Sequence, residues 1–91
     1  RVIDLIAELQ DYGMHVDVHD PWADPQEARQ EYGLELTLKP KLGTYDAIVL
    51  AVAHRQYRDL GAEAIRAWLR EGGVVYDIKG VLPREAVEGR L

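Results

Sequence analysis

Asp46-Ala47-Ile48-Val49-Leu50-Ala51-Val52 and, further on, Val74-Val75-Tyr76-Asp77-Ile78 decide how this chain folds. Each is a continuous apolar run of strand length, rich in β-branched residues, as expected of a parallel strand covered on both faces. Between them, after the loop Ala53-His54-Arg55-Gln56-Tyr57, Asp59 is placed to cap a helix. Its buried stripe is Leu60, Ala64, Ile65, Trp68 and Leu69, and Gly72-Gly73 closes it. Strand, helix and strand in this order predict a right-handed crossover between parallel neighbours.

Working toward the N-terminus, Leu34-Glu35-Leu36-Thr37-Leu38 alternates as a short edge strand, with Lys39-Pro40-Lys41-Leu42-Gly43 as the loop after it. Asp24-Pro25 forms an N-cap and first-turn pair for a helix running to Tyr32-Gly33. Met14-His15-Val16-Asp17-Val18-His19 alternates strictly and predicts a strand with one polar face, stopped by Asp20-Pro21. Ahead of it, Val2, Leu5, Ile6 and Leu9 line one face of a helix that ends near Tyr12-Gly13. Toward the C-terminus, Lys79-Gly80-Val81-Leu82 turns the chain, and Pro83 opens a short last helix through Ala86 and Val87. The whole order predicts a Rossmann-like three-layer α/β/α unit with a mostly parallel sheet. No repeat, linker or low-complexity tract interrupts it.

Composition narrows the function classes. Ninety-one residues, 47% hydrophobic and 30% charged, predict one compact domain spanning 1–91. Such a chain hides roughly 60–70% of the surface its unfolded form exposes, enough for a modest core. The absence of cysteine excludes a disulfide framework, a thiolate metal site and a cysteine nucleophile within these residues, and suits a reducing compartment, the cytoplasm by default. A net charge of −5 and a pI near 5.1 disfavour nucleic acid and anionic membrane, where positive charge must offset phosphate. No apolar run approaches the ~20 residues that span a bilayer. Because Arg1-Val2-Ile3-Asp4-Leu5 is already helical in period, with no initiator Met and no cap, the expectation is a piece of a longer protein.

In an open parallel sheet, ligands bind beyond the carboxyl ends of the strands. That directs attention to Asp20-Pro21-Trp22, to His54-Arg55-Gln56-Tyr57 and to Lys79-Gly80. No GxGxxG or phosphate-loop glycine pattern is present, so no dinucleotide cofactor is expected on this chain. His15 and His19, four residues apart on a strand, stand roughly 13 Å from each other, too far to share a metal ion. His54 is placed either to meet an anion or a substrate hydroxyl, or to bond the neighbouring backbone. Asp20 reads as a turn-forming carboxylate, and Trp22 and Trp68 as packing residues. Lys79, just past a buried strand and followed by Gly80, is either a point charge for phosphate oxygens or a partner for Asp77.

Taken in sequence order, Asp20-Pro21-Trp22, Glu31-Tyr32-Gly33, the stretch from Asp46 to Tyr57 and Val74-Val75-Tyr76-Asp77-Ile78-Lys79-Gly80-Val81-Leu82 resemble the C-terminal UDP-binding domain of the UDP-glucose/GDP-mannose dehydrogenase family. Within the family the likeness is to the UDP-N-acetylhexosamine 6-dehydrogenases of bacterial surface-polysaccharide synthesis. The resemblance covers nearly the whole chain.

It implies a full-length, cytoplasmic, NAD-dependent enzyme that oxidises the C6 alcohol of a UDP-sugar to the carboxylate through a thiohemiacetal and a thioester on a cysteine. A nucleophile that holds the aldehyde between two hydride transfers suits that sequence of steps. The NAD site and the cysteine would lie outside these residues, in the remaining domains of the same enzyme, so 1–91 would not catalyse alone. Lys79 falls on the family's basic position toward the nucleotide sugar, and His54 and Tyr57 fall on a His-x-x-Tyr stretch of the subgroup. The family's first strand, with its Phe-Lys pair, would precede Arg1 and leave the sheet one strand short. A homo-oligomer is implied as well. Two rival readings remain at this level: a non-catalytic oligomerisation or interaction module without ligand, and a receiver-like or flavodoxin-like signalling domain.

Overall fold

A computed structural model of the chain describes residues 2–90. By its internal contacts the chain divides into two compact units, Arg1–Pro40 and Lys41–Leu91.

In the first unit, helix α1 runs Val2–Asp11 with Ile6 buried. Gly13 ends it at φ +88, where its N–H reaches the Gln10 carbonyl at 2.9 Å and that of Met14 reaches Leu9 at 3.2 Å. Helix α2, Pro25–Tyr32, begins where the sequence places it: Asp24 Oδ1 accepts the Gln26 amide at 2.9 Å, Pro25 occupies the first turn, and Gly33 closes the helix in the left-handed region. The two strands expected here contract to a single parallel bridge, Val18 to Leu36, with the Thr37 amide donating to the Val18 carbonyl at 2.7 Å. Residues 14–19 offer only every second side chain for burial, and Met14 is among the exposed ones.

In the second unit, strands β1 (Tyr45–Leu50), β2 (Leu69–Asp77) and β3 (Gly89–Arg90) form a parallel sheet in the order β1-β2-β3. Helix α3 (Arg55–Arg66) connects β1 to β2, and a single 3-10 turn (Arg84–Ala86) precedes β3. Leu50, Tyr57, Ile65, Leu69, Val75 and Leu82 make the core, with Ile48, Val52, Trp68 and Val81 packed around it. Ile65 and Val75 are fully buried, a contribution of roughly 1.5–3 kcal/mol for each such side chain. These elements and this parallel sheet are those of a Rossmann-like α/β unit.

Five local readings change. Helix α3 starts at Arg55, ahead of Asp59, and bends at Gly61, whose φ +84 and ψ 165 only glycine adopts without strain. Leu60, assigned to the buried stripe, is 45% exposed, while Tyr57 and Ile65 carry the packing. Gly72-Gly73 lies inside β2 rather than at a helix end: pairing steps from Tyr45↔Leu69 to Ala47↔Val74, so the segment between bulges out. Gly73 has no room for a side chain there, because a Cβ would come within 2.9 Å of the Leu69 side chain. Finally, β1 is the end strand of its sheet, and only one face of β1 and β2 is packed: Val49, Val74 and Tyr76 are exposed while Leu50 and Val75 are buried. The last helix expected after Pro83 shortens to the 3-10 turn, followed by a strand that the periodicity does not announce.

Candidate functional site

The site is assembled by the sheet. Because all three strands are parallel, their carboxyl ends share one edge: Leu50 pairs with Asp77, and Asp77 with Arg90. The Ile78 amide continues the ladder to the Leu50 carbonyl at 3.0 Å. The two loops that leave this edge therefore start side by side, one carrying His54 and the other Lys79.

Asp77 shapes the second loop. It is completely buried, and its carboxylate accepts the Gly80 amide on Oδ1 at 2.9 Å and the Leu82 amide on Oδ2 at 2.8 Å. Burial alone would push the carboxyl upward, but the amides of Leu82, Val81, Gly80 and Lys79 outweigh it and hold the group below its ordinary value of 3.8. An acid that would otherwise attract the Lys79 ammonium is thus committed to the backbone of the very loop that carries Lys79. Lys79 itself is exposed, and among the described residues its ammonium enters no ion pair.

His54 precedes α3 and is half-buried; its ring stacks on Tyr57 with centroids 6.0 Å apart and planes 15° from parallel. The Tyr57 amide donates to the His54 carbonyl at 3.1 Å. The Tyr57 ring belongs to the core, only 5% exposed, so it fixes the histidine from beneath. In the first unit, the Asp20 carboxylate accepts the Trp22 amide at 2.9 Å, the turn-forming bond read from Asp20-Pro21. His15 lies 3.3 Å from Asp17, and burial, partly opposed by Asp20, lowers the His19 pKa.

Two features escaped the sequence reading. Arg66 grips Glu88 with two parallel bonds of 2.8 Å and also donates to the Ala86 carbonyl at 2.9 Å, while Glu88 Oε1 accepts the Val75 amide at 2.8 Å. The Arg66 guanidinium and the Val75 amide hold the Glu88 carboxyl down at about 2. This clamp ties α3, β2 and the segment leading into β3. Arg90 is the second: its guanidinium lies against Gly80, where a Cβ would stand 2.8 Å from Nη2. The signals were there in Gly80 and Gly89, since glycine marks close approach, but neither names its neighbour.

The turn from β1 into α3, residues 51–54, contains no glycine, so its backbone cannot wrap a pyrophosphate closely. Among the described residues no cluster of His, Asp and Glu could hold a metal ion, and no helix is long and apolar enough to cross a membrane.

The sequence profile of the UDP-glucose/GDP-mannose dehydrogenase family, UDP binding domain, matches residues 1–84. The chain belongs to this family. As a UDP-binding domain of the dehydrogenase family it is similar to two proteins called UDP-N-acetyl-D-glucosamine 6-dehydrogenase. One, from Salmonella typhi, is 44% identical over all 91 residues, which cover 21% of its length. The other, from Pseudomonas aeruginosa, is 41% identical over the same 91 residues, 22% of its length. Protein CapL of Staphylococcus aureus is 37% identical over 82 residues, 90% of this chain and 19% of that protein. The UDP-binding domain thus spans about a fifth of the curated relatives it matches. No solved structure matches it significantly.

Proposed function

We propose that residues 1–91 form the UDP-sugar-binding C-terminal domain of an NAD-dependent dehydrogenase that oxidises the C6 alcohol of a UDP-N-acetylhexosamine to the uronate. Lys79 is the principal contact to the nucleotide sugar, and His54, steadied by Tyr57, lines the neighbouring loop. The observation that carries this is the uncommitted ammonium of Lys79 on a loop shaped by Asp77, at the carboxyl edge of a parallel sheet in a chain of the UDP-binding family. Oxidation of a primary alcohol to a carboxylate consumes one water and removes two hydrides, which reduce two NAD molecules. The residues that hold NAD and the reacting thiol belong to other parts of the enzyme, and this domain supplies grip on the substrate. The complete enzyme is cytoplasmic and assembles from several copies. Family membership favours this reading over an interaction module without ligand.

Substituting Lys79→Ala in the full-length enzyme is expected to raise the KM for the UDP-sugar about tenfold or more, the size of a lost charge-assisted contact. The KM for NAD should stay within twofold. An unchanged sugar-nucleotide KM would remove Lys79 from the site.

A further inference from the structure

The loop that presents Lys79 carries a second cation on its back. Strand β3 is only two residues long, yet its pairing with β2, Tyr76↔Gly89 and Asp77↔Arg90, delivers Arg90 to the same carboxyl edge. Glycines stand on both sides of it. A side chain on Gly89 would run into the Tyr76 ring, and one on Gly80, which also sits at φ +72, would meet the Arg90 guanidinium. The clamp of Arg66 on Glu88 then holds the segment just before Arg90.

Two nearby acids are committed elsewhere. Asp77 accepts the amides of Gly80 and Leu82, and Glu88 is bonded through both oxygens to Arg66. Among the described residues Arg90, like Lys79, forms no ion pair. Beside it opens a shallow hollow of about 250 Å³ lined by Arg84, Val87, Glu88, Gly89 and Arg90. A surface of a net-acidic chain that gathers cations while its own acids are turned to the backbone or to another arginine is arranged for an anion of more than one charge. A lysine offers a point charge and an arginine a planar fork, a pair that suits two linked phosphoryl groups better than a single carboxylate.

We propose that Arg90 is a second cationic binding residue for the diphosphate of the nucleotide sugar, aimed by β3. This rests on the reading that the Lys79 loop faces the nucleotide sugar. The test is calorimetric titration of the full-length dehydrogenase with UDP and, as a probe lacking phosphate, with uridine. Arg90→Gln should weaken UDP about tenfold and leave uridine unchanged, while Arg90→Lys, which keeps the charge and loses the fork, should cost about threefold. If Arg90→Gln unfolds the protein, the Arg90→Lys variant carries the same comparison. Equal losses for UDP and uridine would show that Arg90 only props the loop, and would overturn the proposal. A loss in Lys79→Gln with none in Arg90→Gln would sink Arg90 alone. No loss in either would sink the site reading with it.

Discussion

Residues 41–90 and residues 2–40 are held together by different means. The later region has a three-stranded ladder over a shared apolar core, with Ile65 and Val75 fully buried and a carboxylate, Asp77, folded into the interior. The earlier region has two helices, each closed by a glycine at positive φ, and one bridge between Val18 and Leu36. Alternating segments such as 14–19 bury half of what a continuous apolar run buries, so they depend more on capping and turn chemistry than on burial. The candidate loops leave the region with the larger buried core, and a loop can hold a cation at a fixed point only if the strand beneath it does not move.

Three measurements would sharpen or break this contrast. The largest effect should come from Ile65→Ala, which removes a fully buried side chain from α3 and is expected to cost about 2–5 kcal/mol, read from the urea midpoint and from lost amide protection in β1 and β2. Equal protection loss in α2 would mean that the two regions do not differ as argued. A smaller effect should follow acidification. Glu88 titrates near 2 when folded against its ordinary 4.5, so its contribution is complete above about 4.5 and disappears as pH falls toward 2. Exchange of the Val75 amide should therefore accelerate over that window in the native protein and much less in Glu88→Gln; a flat profile would dismiss the clamp. As the pair is partly exposed, salt should blunt the response. The smallest effect is expected from Asp24→Ala, about 1 kcal/mol, confined to α2 and visible as faster exchange of the Gln26 amide.

What could be read in the chain follows the same divide. The apolar runs at 46–52 and 74–78, the cap at Asp24-Pro25 and the loop at Lys79-Gly80 were legible because each depends on neighbours in sequence. The start of α3 was misplaced because Asp59 has the chemistry of a cap while Gly61 has the freedom to break a helix, and only packing of Tyr57 selects between them. Gly72-Gly73 suits a helix end and a bulge equally; the register of Ala47 on Val74 decides. β3 is too short to show any period, and the partners Arg66 and Glu88 lie twenty-two residues apart, beyond any local pattern. Arg90 was missed for the same reason: its place depends on Tyr76 and Gly80, neither of them adjacent.

The buried carboxylate at position 77 has a further consequence for timing. By pinning the amides of residues 80 and 82 from within, it sets the outline of the turn during folding, before any guest arrives. A limp turn of the same length would forfeit about 1–2 kcal/mol of backbone freedom per residue at the moment of docking. Here that loss is incurred once, when the polypeptide folds, so any guest this turn receives meets a surface already cast.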